Sequence, residues 1–160
     1  MTRRQIRLVR SSWKTAGEEP LTLGILFYDR LFNLSPETRA VFRTPVSQQT
    51  TRLMQTVGTL VNRLELLDQS LPDITRIADD FARQGLKAMD YPSIAAALLW
   101  AMEQKLDQAW NKDLAKAWVS FFGCLSILVR KNAGNTYRPL AVTGRHRLAM
   151  MRPEKLSYAS

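Results

Sequence analysis

The sequence predicts an all-α fold of about seven helices, on three observations. Apolar residues recur at helical spacing along most of the 160 residues. No stretch alternates with period two over the length of a strand. The residues that punctuate the periodic segments, Pro20, Ser35 with Pro36, Pro72, Gly85, Asp90 with Pro92, and Asn111, are of the kinds that start or stop helices.

The first helix is expected over residues 4–17, with Ile6, Val9 and Trp13 facing inward and Arg3, Arg7, Arg10 and Lys14 gathered on the opposite stripe. Pro20 suits the first turn of a second helix, because its ring presets φ and the N–H it lacks would go unpaired there anyway. The inner face of that helix is Leu23, Phe27, Leu31 and Leu34. Gly24 sits inside it, where glycine costs about 1 kcal/mol relative to alanine; a close helix crossing would explain it, and the alternative is a local weakness without purpose. Ser35 reads as the cap, and Pro36 as the first turn, of a short helix ending near Phe42.

A long helix is expected over residues 46–68, with Leu53, Val57, Leu60, Val61, Leu64 and Leu67 on one side. Pro72 opens a helix that contains IADDFARQG, residues 77–85, and Gly85 terminates it. Asp90 and Pro92 start another, carrying Ile94, Leu98, Met102 and Leu106. Asn111 caps the last, with Leu114, Trp118, Phe121, Phe122, Leu125 and Leu128 inward. Beyond residue 132 the periodicity stops, so residues 1–132 read as one domain and 133–160 as a basic tail, either disordered or docked.

With 46% apolar residues, the chain can bury one good core and is too short for two. Cys124 is the single cysteine, so no internal disulfide can form, and a buried small hydrophobe in a reducing compartment is its expected role. The apolar run AWVSFFGCLSILV is shorter than the roughly 20 residues a spanning helix needs. The N-terminus lacks the apolar segment of a secretory signal, and the expected location is the cytoplasm. The formal charge of +9 is unevenly placed: residues 130–160 hold seven of the 23 basic residues against one acid. Tail and first-helix stripe are either solvated faces or a surface for an anionic protein or nucleic acid. Only non-specific phosphate attraction is supported in the tail, whose aromatics are Tyr137 and Tyr158.

Enzyme signatures are mostly missing. There is no glycine-rich phosphate loop, and one cysteine with one histidine cannot make a metal cluster. A Ser/His/Asp arrangement would have to recruit His146 from the tail. Asp79 and Asp80 are helix neighbours that point about 100° apart, so they read as surface charge and not as an acid/base pair. No catalytic residue and no metal ligand are expected.

The helix order, together with LVRSSW, LFYDRLF, SPETRAVF, YPSIAAALLWAMEQKL and LAKAWVSFFGCL, resembles the globin family, over about residues 4–132. The resemblance is to single-domain bacterial haemoglobins and to the globin part of flavohaemoglobins. It implies helices packed around a flat, haem-type pocket. It makes Phe42 the phenylalanine on the haem face, Tyr28 the tyrosine that donates to bound gas, and Gln49 the distal polar residue. Leu53 follows one turn on, and Arg52 lies where a cation meets a propionate. Read on their own, Phe42 and Leu53 would be core in any helical protein, Gln49 and Arg52 could be surface, and Tyr28 could pair locally.

On the other side of the pocket, the resemblance puts Phe81 where the family carries the histidine that holds the iron. A shift of register does not help, because residues 1–145 contain no histidine. Phe81 is therefore expected to fill the proximal pocket without ligating. Tyr91 matches a proximal tyrosine, and Ile94 on the same helix completes the pocket residues. The acidic partner of that network is not evident, since the corresponding stretch reads KNAGN. Two functions follow. The first is a globin scaffold without conventional haem, a regulatory or interaction module with room for a small apolar ligand. The second keeps haem through Tyr28, Tyr91, Met89 or an intruding His146 and works in oxygen or nitric oxide sensing or redox chemistry. No cofactor is expected on the first reading and haem on the second.

Overall fold

The computed structural model describes residues 1–66, 76, 79, 83 and 90–132. Among these are five α-helices joined by three short 3-10 turns, and no strand. The helix expected to run from Pro72 to Gly85 lies mostly outside the described residues, as do Leu67, Phe81 and the tail. Arg76, Asp79 and Arg83 are described, and each is helical and exposed, so Asp79 is surface charge as expected.

Helix α1 (Arg3–Ala16) starts at a capping box that the spacing of Thr2 and Gln5 permits. The Gln5 N–H donates to the Thr2 hydroxyl at 3.2 Å, and the Thr2 N–H donates to the Gln5 side chain at 2.9 Å. Its inner face buries Ile6, Val9, Trp13 and Ala16, at roughly 1.5–3 kcal/mol for each large side chain. Helix α2 (Pro20–Leu34) buries Leu23, Phe27 and Leu31 as the spacing predicts. Leu34 departs from the prediction and is 41% exposed. It has the right azimuth but lies in the last turn of α2, one residue before Ser35.

Ser35 does not cap the following turn with its side chain. Its hydroxyl donates to the Ser93 hydroxyl at 2.7 Å, while its carbonyl accepts the Thr38 N–H at 3.0 Å and the Thr38 hydroxyl at 2.6 Å. The short helix is therefore a 3-10 segment, Pro36–Ala40, and it stops before Phe42. Helix α3 (Val46–Asn62) also ends earlier than periodicity suggests, giving way to a 3-10 turn, Leu64–Leu66. Arg10 of α1 closes that end: its guanidinium donates to the Val61 carbonyl at 3.4 Å and the Asn62 carbonyl at 2.9 Å, and pairs with Glu65 at 3.2 Å. The Asn62 carbonyl is of the kind that a helix terminus leaves without an intrahelical partner. Arg10 thus belongs to a helix junction and not to a free basic stripe.

Helix α4 (Tyr91–Leu106) buries Leu98, Met102 and Leu106, and Lys105 near its end pairs with Glu19. The chain then turns through Asp107 (φ 43°, ψ −112°) into a 3-10 segment, Asp107–Ala109. Helix α5 (Lys112–Asn132) follows, capped as expected by Asn111, whose side-chain oxygen accepts the Leu114 N–H at 3.0 Å. Leu114, Trp118 and Phe121 are buried, whereas Phe122, Leu125 and Cys124 are only partly so. No helix among the described residues is long and apolar enough to cross a membrane.

Packing joins consecutive helices as well as distant ones: α2 lies against α3, the next helix in the chain, and against α4, and α1 lies against α5. At the first junction Gly24 meets α3 so closely that an added Cβ would stand 1.9 Å from the Thr50 hydroxyl oxygen. The missing side chain is what lets the two backbones cross, which resolves the anomaly of a mid-helix glycine. At the junction of α1 and α5 the Trp118 indole N–H donates to the buried Ser12 hydroxyl at 3.0 Å. The same ring packs edge-on to Phe121 at 5.2 Å and lies 6.0 Å from Trp13.

Candidate functional site

The α2 and α3 crossing opens onto an aromatic corner built around Tyr28. Phe27, Tyr28 and Leu31 are buried because α2 is covered by α3 on one side and α4 on the other. Tyr28 is 4% exposed, and its ring meets Phe27 at 4.8 Å and Phe42 at 5.3 Å, both edge-on, with Phe32 at 6.0 Å. Such tilted contacts set the positive ring edge against a negative face. Phe32 and Phe42 lie 6.4 Å apart, and the Arg39 guanidinium sits 4.8 Å over the Phe32 ring.

Two polar side chains enter this corner, and each is engaged with the main chain. The Tyr28 hydroxyl donates to the Gln49 carbonyl at 3.1 Å. The Gln49 amide, buried at 3% exposure, donates to the Thr44 carbonyl at 2.6 Å. Burial pushes the Tyr28 phenol well above the usual tyrosine range; the positive charge of Arg52 acts the other way and is the smaller influence. The phenol is therefore a neutral donor across the physiological range.

Tyr28, Phe42 and Gln49, which the resemblance grouped, are brought together here. Leu53 is partly buried and packs on the core, whereas Arg52 is exposed. Tyr91 and Ile94 are partly buried on the first turns of α4. Phe81 lies outside the described residues. Sequence reasoning missed Phe32 and Thr44. Phe32 was within reach of it, lying four residues after Tyr28 on the same helix. Thr44 carried no signal, because it acts through a carbonyl that any residue would supply. Among the described residues no group of histidine, cysteine and carboxylate side chains is placed to hold a metal ion.

The close glycine crossing of α2 on α3, the packing of α2 on α4 and of α1 on α5, and the aromatic and polar corner beside the crossing describe an all-α fold whose helices pair beyond their sequence neighbours. A family model described as Globin matches residues 25–127, and the chain belongs to the globin family. A flavohemoprotein of Chromobacterium violaceum is 28% identical over 122 residues, covering 74% of this chain and 30% of that protein, so the chain spans under a third of this relative. A globin-like protein of Aquifex aeolicus, described as uncharacterized, is 27% identical over 124 residues, covering 76% of this chain and 86% of that one. Among solved structures, a hexacoordinated heme protein from an anhydrobiotic tardigrade aligns with a TM-score of 0.72 at 16% identity, over 82% of this chain and 94% of that chain. At that identity the likeness shows the fold alone.

Proposed function

We propose that this globin lacks histidine ligation of haem at the proximal position and acts as a regulatory or interaction module. The observation that carries the reading is chemical: the chain has one histidine, His146, and a phenylalanine, Phe81, where the family resemblance calls for the iron ligand. A phenyl ring has no lone pair to give a metal. The polar corner points the same way. The single proton of the Tyr28 hydroxyl is engaged with Gln49, and the Gln49 amide is engaged with Thr44, which leaves the tyrosine nothing to donate to a bound gas. These residues do not fit a gas-carrying haem with a histidine ligand.

Absorbance of freshly purified protein, before and after addition of hemin, tests this reading. A colourless preparation with weak hemin affinity is expected, and a strong Soret band at stoichiometric haem on isolation would overturn it. A second reading, haem held by burial and by a ligand other than a proximal histidine, draws support from the relative described as a flavohemoprotein. Most of the macrocycle's contact with protein is apolar, so burial alone can hold it weakly. That reading requires the spectrum to change in at least one of Tyr28→Phe, Tyr91→Phe, Met89→Leu and His146→Ala; identical spectra in all four leave it without a ligand.

A further inference from the structure

Helix α1 carries five cations and no acid. Two of the five are engaged: Arg10 closes α3, and Arg4 pairs with Asp113 at 2.7 Å. Arg3, Arg7 and Lys14 lie exposed on the outer face and have no ion pair among the described residues. A second helix adds to this field. Asp113, Lys116 and Ser120 share one face of α5, and the two ends of that row touch Arg4 at 2.7 Å and Gln5 at 3.1 Å. Lys116, between them and exposed, therefore stands beside the first turns of α1. Asp113 is the acid that interrupts this surface, and its exposed pairing with Arg4 is of the kind worth little.

We propose that this face of α1 and α5 binds the phosphate backbone of nucleic acid without sequence preference. From Arg3 to Lys14 the helix runs about 16 Å at 1.5 Å per residue, roughly the rise of five base pairs at 3.4 Å each along a strand. The chemistry separates this partner from the two others that cations attract. An interfacial membrane helix must have its apolar face free to enter the lipid; in α1 that face is in the core, with Val9 at 0% exposure. A protein partner needs a desolvated apolar or aromatic anchor; the exposed residues of α1 are Arg3, Arg4, Arg7, Ser11, Lys14 and Thr15, all polar. Neutralising phosphates requires only the cations.

The test is fluorescence anisotropy of the full chain with a labelled duplex of mixed sequence, from about 50 to 200 mM salt. Binding that weakens steeply with salt is expected. In the Arg3→Gln, Arg7→Gln, Lys14→Gln triple variant the slope of log affinity against log salt should fall by about 3, and low-salt affinity by roughly tenfold or more. If the triple variant misfolds by circular dichroism, Arg7→Gln alone provides the reading, with a slope loss of about 1. Four outcomes overturn the proposal. They are absence of binding at low salt, an unchanged slope in the folded α1 variant, tighter binding to phosphatidylserine vesicles than to the duplex, and tighter binding to polyglutamate. An unchanged slope in the α1 variant, with binding lost in Arg145→Gln, Arg147→Gln, Arg152→Gln, would move the interaction to the tail.

Discussion

The Tyr28 hydroxyl and the Gln49 main-chain carbonyl, 21 residues apart in sequence, are joined by a 3.1 Å hydrogen bond that ties α2 to the first turn of α3. The bond turns a side chain that could face a ligand into a strut between helices. Tyr28→Phe keeps the ring contacts and removes the donor, so it should lower unfolding free energy by about 1 kcal/mol, read from the urea midpoint. The same residue gives an alkaline signature. Burial raises the phenol's folded pKa above its ordinary value of 10.0. Its contribution is therefore complete below that pH and is lost as pH climbs toward the higher folded value. Stability should fall more steeply above about pH 10 in the parent than in Tyr28→Phe, and parallel curves would show that the phenol is not the titrating group.

Gly24→Ala sets two effects against each other. Alanine favours a helix interior by about 1 kcal/mol, but its Cβ would stand 1.9 Å from the Thr50 hydroxyl oxygen and 2.8 Å from Thr50 Cβ. Displacing a helix from its neighbour is the larger effect, and a net loss of about 1–3 kcal/mol is expected. Thr50→Gly in the same chain should recover part of it, because the obstructing atoms are gone. A double-mutant cycle with zero coupling would count against the crossing.

Ser12→Ala removes the acceptor of the Trp118 indole N–H. The donor stays buried in a core where Trp118 has 0% exposure, so the loss should be about 1–3 kcal/mol. Ser11→Ala, one residue away and exposed, should stay within about 0.5 kcal/mol of the parent. Equal effects of the two in urea titrations would refute the bond's role.

Asp107 holds φ 43° and ψ −112°, a combination that suits glycine and strains a residue with a Cβ. Asp107→Gly should therefore raise stability by about 1 kcal/mol, even though glycine usually costs entropy. A drop in thermal midpoint would mean that the aspartate side chain contributes more than the strain removes.

Phe81→His addresses the proposed function directly. If the pocket wall is still shaped for a porphyrin, the new imidazole should raise hemin affinity and bring a Soret band on titration. An unchanged titration would mean that the cavity has closed around the phenyl ring.

Much of the helical outline was legible because it depends on residues within a turn of one another. Pro20 opens α2, Asn111 caps α5, and the apolar spacing of α1 marks Ile6, Val9 and Trp13 as its buried face. Gly24 announced a close crossing by violating helix propensity. The same local rules failed at ends. Leu34 follows the pattern but is exposed in the last turn of α2, and α3 stops where Arg10 meets it.

By itself, then, the sequence determined the all-helical outline, the places where helices begin, and the chemical fact that one imidazole is available in the whole chain. Tertiary structure alone decided that Gly24 faces Thr50, that the Ser35 hydroxyl reaches Ser93 instead of capping its own turn, and that Tyr28 pairs with Gln49. The reason is geometric. Periodicity and capping are settled over a few residues, whereas the partner of a buried hydroxyl is settled only when distant segments close on one another and leave it a single carbonyl or hydroxyl within reach.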